Sequence, residues 1–248
     1  MKTILLLGAG AAIPWGGMKS DELTVLLNKD TDFIVNESES LAGYLYSHIV
    51  EFYRNKIWVN FETIIDALET IFDYYSHKSH TGAGPNYIRH FPIWFKENQI
   101  TQEIFGRNYH EFLNIKEGSF SKGSEKEYYL SEAIKKYIQI ICDSVSHYDN
   151  NNSEEEYSNL NDKLSEFYSL LEEKHNPVRT YTTNYDNLVP DIVYRLKGFS
   201  FFNGFIDSNE AQSIDEALAD INKIIFDSEC RTYYNLHGSV YWIYKFNL

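Results

Sequence analysis

Three stretches of this chain set chemically capable residues where a strand ends. They are Gly8-Ala9-Gly10 after the apolar run Thr3–Leu7, Thr182-Thr183-Asn184-Tyr185-Asp186 after a β-branched run from Val178, and His237-Gly238-Ser239 after Thr232–Leu236. Glycines at such a turn admit positive φ and let the backbone approach a ligand closely, and a following helix would turn its free N–H groups toward an anion such as phosphate. Asn184 brings an amide that donates and accepts, Asp186 a carboxylate, and His237 an imidazole with an ordinary pKa of about 6.5. In a parallel α/β sheet ligands bind beyond the carboxyl ends of the strands, so these turns would share one pocket if their strands were neighbours. Each stretch also has a plainer account. In that account the glycines only turn the chain, Asn184 and Asp186 cap the helix that Pro190 helps begin, and His237 is satisfied by backbone in its own turn.

The elements that must position these turns are legible as periodic patterns. Leu41, Leu45, Ile49 and Phe52 make one helical face, and Phe61, Ile65, Leu68, Phe72 and Tyr75 a second. Ser79–Pro92, with Gly82, Gly84, Pro85 and Pro92, reads as a loop. Leu130, Ile134, Tyr137, Ile138, Ile141 and Val145 form a third face, and Leu160, Leu164, Phe167 and Leu171 a fourth. Ser153 followed by Glu154-Glu155-Glu156 reads as a solvated helix start with its cap, not a metal site. Asn176-Pro177 stops that helix, and Val178–Thr183 follows as a strand. The expected fold class is therefore α/β, with strands bracketing a helical block over about 36–176.

Bulk properties narrow the function classes. With 22 Lys and Arg against 36 Asp and Glu in 248 residues, the net charge is −14 and no basic stripe stands out. Direct nucleic-acid binding is not expected, because neutralising phosphates needs clustered cations. Cys142 and Cys230 lie far apart with no Cys-x-x-Cys pair, so neither a zinc site nor a disulfide framework is suggested. The other seven of the 8 histidines, His77 and His80 included, read as surface or core residues. The 20 Tyr and 16 Phe read as packing residues, some at subunit contacts. No stretch approaches the roughly 20 apolar residues of a membrane span, and a soluble cytoplasmic protein is expected.

Taken in order, the three stretches resemble the Sir2 (sirtuin) family of NAD-consuming enzymes. Thr182-Thr183-Asn184-Tyr185-Asp186-Asn187-Leu188 resembles the family's Thr-Gln-Asn-Ile-Asp-x-Leu, Leu236-His237-Gly238 its His-Gly, and Gly8-Ala9-Gly10 its opening Gly-Ala-Gly. The wording Ala12-Ile13-Pro14-x-Gly16, Thr-Thr-Asn-Tyr-Asp and His-Gly-Ser followed by an aromatic is similar to the Sir2-like domains of bacterial antiphage defence proteins. The resemblance covers mainly 1–27 and 178–242, with Asn60-Phe61-Glu62 a further echo. The protein deacylases carry four zinc-binding cysteines and an Asp-Phe-Arg after the proline, and this chain has neither.

The resemblance implies a Rossmann-like parallel sheet with a large helical insertion between the first strand and the Thr-Thr-Asn-Tyr-Asp strand. It also implies a chain that is the N-terminal part of a longer protein. The implied activity is hydrolysis of NAD+, here the substrate, to ADP-ribose and nicotinamide, with no metal, as the effector of an abortive-infection system. Assembly of a homo-oligomer, a defence-system partner protein or an attached sensor domain would gate it. Asn184 would orient water or ribose, and His237 would act as general base. Asp186 would bind the carboxamide. Gly8, Ala9, Gly10 and Ala12 would cradle the pyrophosphate, and Pro14, Trp15, Thr183 and Gly238 complete the implied set, with Trp15 closing over the nicotinamide side. Ala12 and the missing arginine leave open a catalytically silent module that binds NAD or ADP-ribose, and protein-lysine deacylation stands third.

Overall fold

The computed structural model describes residues 3–35, 39–54, 57–81, 102–115, 124–146, 153–175, 177–205, 219–226 and 230–236. It divides into two compact units, one formed by Met1–Lys19 with Ser144–Leu248 and the other by Ser20–Asp143.

The first unit is built on a three-stranded sheet of β1 (Thr3–Leu7), β2 (Val178–Thr182) and β3 (Thr232–Asn235), in that spatial order. Both pairings are parallel, and the register sets Leu7 beside Thr182 and Thr182 beside Asn235. The mixed α/β class expected from the sequence is therefore present. Side chains alternate across the sheet, as a pleated strand requires. On one face Leu5, Leu7 and Tyr233 pack with Tyr168, Leu164, Val189, Val193, Phe199 and Phe201. On the other face Tyr181 meets Tyr234 at 5.4 Å between ring centroids, and Phe202 meets Tyr234 at 6.3 Å.

Two helices of this unit contribute the covering side chains. We number the α-helices in chain order, α1–α5 being those of the second unit. α6 (Glu154–His175) and α7 (Leu188–Lys197) pack against each other, and α6 packs on β2. The α6 start is a capping box, in which Glu156 N donates to Ser153 Oγ at 3.3 Å while Glu156 Oε2 accepts from Ser153 N at 2.9 Å. The bond from Ser153 N, and a second from Ser153 Oγ at 3.0 Å, hold the Glu156 carboxyl below its ordinary value. α8 (Ile221–Phe226) precedes β3.

The most buried line of α6 is not the expected apolar one. Of the expected residues Phe167 is 45% exposed while Leu160, Leu164 and Leu171 are half-buried, and Asn161, Ser165, Tyr168 and Glu172 are the buried ones. Polar groups hold this face because each of three finds a partner. Asn161 Oδ1 accepts from Trp15 Nε1 at 2.8 Å, Tyr168 OH bonds Thr180 Oγ1 at 3.0 Å, and Glu172 Oε1 accepts from Val178 N at 3.3 Å. Glu172 Oε2 also pairs with Arg231 Nε at 2.8 Å, and the Arg231 guanidinium lies 4.4 Å from the centre of the Phe199 ring. α6 thus belongs with the sheet, so the helical block expected over 36–176 is split between the two units.

The second unit contains α1 (Ser20–Asn28), α2 (Leu41–Tyr53), α3 (Phe61–Thr81), α4 (Arg107–Ile115) and α5, which runs Glu125–Ser146. The α2 face is buried at Leu41, Leu45 and Ile49, with Phe52 exposed. The α3 face follows Phe61, Ile64, Leu68, Ile71 and Tyr75, so Ile64 and Ile71 take the places expected for Ile65 and Phe72. α5 buries Leu130, Ile134, Tyr137, Ile141 and Val145 as expected, with Ile138 half-buried. Helix α3 runs to Thr81, past the start of the expected Ser79–Pro92 loop, whose 82–92 portion lies outside the described residues. Phe33, Phe112, Tyr129 and Tyr137 form an aromatic cluster joined to Asp30, whose Oδ2 accepts from Phe33 N at 3.0 Å.

Candidate functional site

Parallel pairing sends the carboxyl ends of all three strands to one edge of the sheet. The ladder runs one step past the strands there, with Thr183 N donating to Leu7 O at 3.1 Å and Leu236 N to Thr182 O at 2.8 Å. The Gly8 turn, the Thr183–Asp186 turn and the end of β3 are thereby neighbours. His237 and Gly238 follow β3 directly and lie outside the described residues.

Side chains from two strands pin the turn after β2. Thr182, fully buried, accepts from Asn184 N at its Oγ1 over 3.0 Å. From β3, Asn235 Nδ2 donates to Asn184 O at 2.9 Å and to Asp186 O at 3.2 Å. Asp186, also buried, accepts from Leu188 N at its Oδ1 over 2.9 Å, an Asx turn that leads into α7. The capping account of this motif therefore holds for Asp186. It does not hold for Asn184, which is 8% exposed and whose Oδ1 has no hydrogen-bond partner among the described residues. A buried amide oxygen left without a donor is costly and rare in native proteins.

Beneath this turn lie hydroxyls whose titration is displaced. Burial, with the Asp186 carboxylate as the second cause, pushes the Tyr233 phenol well up. Burial also pushes Tyr168 up to about 12. Both stay neutral donors and acceptors at physiological pH.

The glycine turn departs from expectation in one respect. Gly8 has φ −95° and ψ 174°, in the extended region, and neither Gly8 nor Gly10 adopts positive φ. The helix that follows is a 3-10 segment, Ala9–Trp15, started by Ala11 N donating to Gly8 O at 2.9 Å. The first α-helix, α1, begins only at Ser20 in the other unit. Backbone conformation thus does not demand glycine at either position. Packing does not demand it either, because among the described residues a Cβ at Gly8 would meet nothing within 4 Å and one at Gly10 only the Ile13 Cδ1 at 3.9 Å. The open space leaves room for close approach to the backbone there.

The rest of the segment packs. Ala12 is buried, its carbonyl accepting from Gly17 N at 3.0 Å, and a Cβ on Gly17 would come within 2.7 Å of the Ala12 Cβ. Pro14 is exposed on the 3-10 segment. Trp15 is 6% exposed and tied to Asn161, so the expected aromatic cover is instead an interior anchor with almost no ring surface left for stacking.

Asn235 is the residue that the sequence did not single out, since it reads there as a position inside the strand Thr232–Leu236. Among the described residues no group of three His, Cys, Asp or Glu stands close enough to hold a metal ion, and no helix is long and apolar enough to cross a membrane. Cys142 and Cys230 are thiols, each half-buried. No family model and no curated protein sequence matches this chain.

Proposed function

We propose that the protein is a Sir2-like NAD+ glycohydrolase whose site lies at the carboxyl edge of the sheet. The fold proposed with it is Rossmann-like, with the helical unit inserted between β1 and β2. The observation that carries this reading is Asn184, a buried amide oxygen with no donor among the described residues, on a turn whose backbone is pinned on both sides. A ribose hydroxyl or an attacking water is a donor of the kind that oxygen accepts. Open space at the Cβ positions of Gly8 and Gly10 supports close approach of a pyrophosphate on the neighbouring turn.

In the proposed reaction the bond between ribose C1′ and the nicotinamide nitrogen breaks, and nicotinamide leaves neutral with the bonding pair. Water adds to C1′, and its proton passes to His237. Asn184 orients the water or the ribose, and holding the reactants in place is its contribution to rate. Asp186, with one oxygen used by Leu188 N, would offer the other to the carboxamide. The biological role proposed is a cytoplasmic effector that depletes NAD in an antiphage response, gated by a homo-oligomer, a partner protein or an attached sensor domain.

A silent NAD- or ADP-ribose-binding module is the second reading, favoured by the use of Asp186 as a helix cap and by the burial of Trp15. Chromatographic assay of NAD and its products separates the two. On the hydrolase reading, nicotinamide and ADP-ribose appear, and Asn184→Ala lowers kcat by about 100-fold while the thermal midpoint holds. His237→Ala is expected to cost about 100-fold or more, with loss of the rate decline below pH of about 6.5. Binding of NAD without turnover, unchanged by either variant, would establish the second reading.

A further inference from the structure

We infer that Asn235 is the positioning residue of this site, holding the Asn184 side chain in its working orientation from the neighbouring strand. The inference rests on the NAD-cleaving reading for its catalytic consequence and on geometry alone for the positioning itself. A primary amide has two N–H donors on one nitrogen. Asn235 Nδ2 places that nitrogen 2.9 Å from the carbonyl of Asn184 and 3.2 Å from that of Asp186, so one side chain closes the turn from both ends. The Asn184 N–H is held by Thr182 Oγ1, and the turn's exit by Asp186 Oδ1 on Leu188 N. Every one of these holds acts on backbone or on Asp186, and none uses the Asn184 side chain, whose oxygen is left to an incoming donor. β2 and β3 pair through Thr182 and Asn235, so the distance from Asn235 to the turn is set by the sheet.

The isosteric change Asn235→Asp keeps the shape and removes both donors, setting a carboxylate against two carbonyl oxygens. The expected result with the full chain is a kcat for NAD cleavage lower by about 100-fold, the size of effect that a small misplacement of a reacting group produces, with KM little changed. Lowering the pH restores part of the loss relative to wild type, because the neutral carboxyl introduced by Asn235→Asp again donates one hydrogen bond. Tyr234→Leu is the control. It sits on the same strand but on the opposite face, loses ring contacts with Tyr181 and Phe202, and should lower the thermal midpoint without this pH signature.

Amide hydrogen exchange reads the positioning independently of turnover. Asn235→Asp should speed exchange at residues 184–188 and leave 178–182 in β2 unchanged. Unchanged exchange across 184–188 would overturn the positioning, whatever the rates. Faster exchange together with a kcat loss no larger than that of Tyr234→Leu would overturn its catalytic consequence. A wild-type protein that turns over no NAD would overturn that consequence together with the reading beneath it, while the exchange result alone would then decide the positioning.

Discussion

Three of the four glycines in the first seventeen residues differ in how they should respond to the same substitution. Alanine at Gly8 or Gly10 enters open space in backbone that any residue can adopt, so unfolding free energy should stay level or rise by about 0.4–1 kcal/mol through a less flexible unfolded chain. NAD or ADP-ribose affinity should fall by about tenfold, or about 1.4 kcal/mol, because the new methyl occupies the proposed place of the pyrophosphate. Calorimetry of binding beside thermal unfolding checks both. Unchanged affinity would remove this turn from the site. Gly17→Ala is expected to destabilise by about 1–3 kcal/mol, since its Cβ would press on Ala12 backbone at 2.8 Å. Asp30 adds a pH test at the same scale. Burial raises its carboxyl above the usual 3.8, opposed by bonds from Phe33 and Asp32 backbone. The fold favours the neutral form, so stability is greatest below the unfolded pKa and declines as pH rises through the folded one. Asp30→Asn should therefore unfold at higher urea than wild type at pH 7, with the gap closing as pH falls toward 3.8.

At the scale of elements, α6 shows burial set by partners as well as by apolar spacing. Apolar spacing selects Leu160, Leu164, Phe167 and Leu171, of which Phe167 faces solvent and the others are half-buried, while Asn161, Ser165, Tyr168 and Glu172 are turned fully inward. Periodicity weighs each residue by its own hydrophobicity, and the partners of these side chains are remote in sequence, such as Trp15 and Arg231. Tyr168→Ala should cost about 3–5 kcal/mol by urea denaturation, and Phe167→Ala under about 1 kcal/mol, the reverse of what the apolar pattern implies. Glu172→Ala leaves Arg231 without this partner and Val178 N without its acceptor, and should cost about 3 kcal/mol. In contrast α5 follows its pattern closely, because apart from Ser131 its buried residues are apolar or aromatic.

For the whole molecule, a net charge of −14 works against electrostatic steering of an anion, so the proposed dinucleotide would have to be held by local geometry. Gating by assembly predicts that NAD turnover per protein molecule rises with protein concentration at fixed NAD; a flat dependence would remove self-assembly from the proposal. The sequence by itself determined the α/β class, the places where β1, β2 and β3 end to within one residue, and the turns after β1 and β2. Each follows from local rules, an apolar or β-branched run cut short by glycine, asparagine or histidine. The capping box at Ser153 and the helix stop at Asn176-Pro177 are local in the same way. Only the tertiary structure decided that the strands pair in parallel with β2 between the others, that Trp15 points inward, that α6 buries its polar side, and that Asn235 fastens the turn bearing Asn184. These are pairings between residues far apart along the chain, and a hydrogen bond of that kind leaves no periodic trace in sequence.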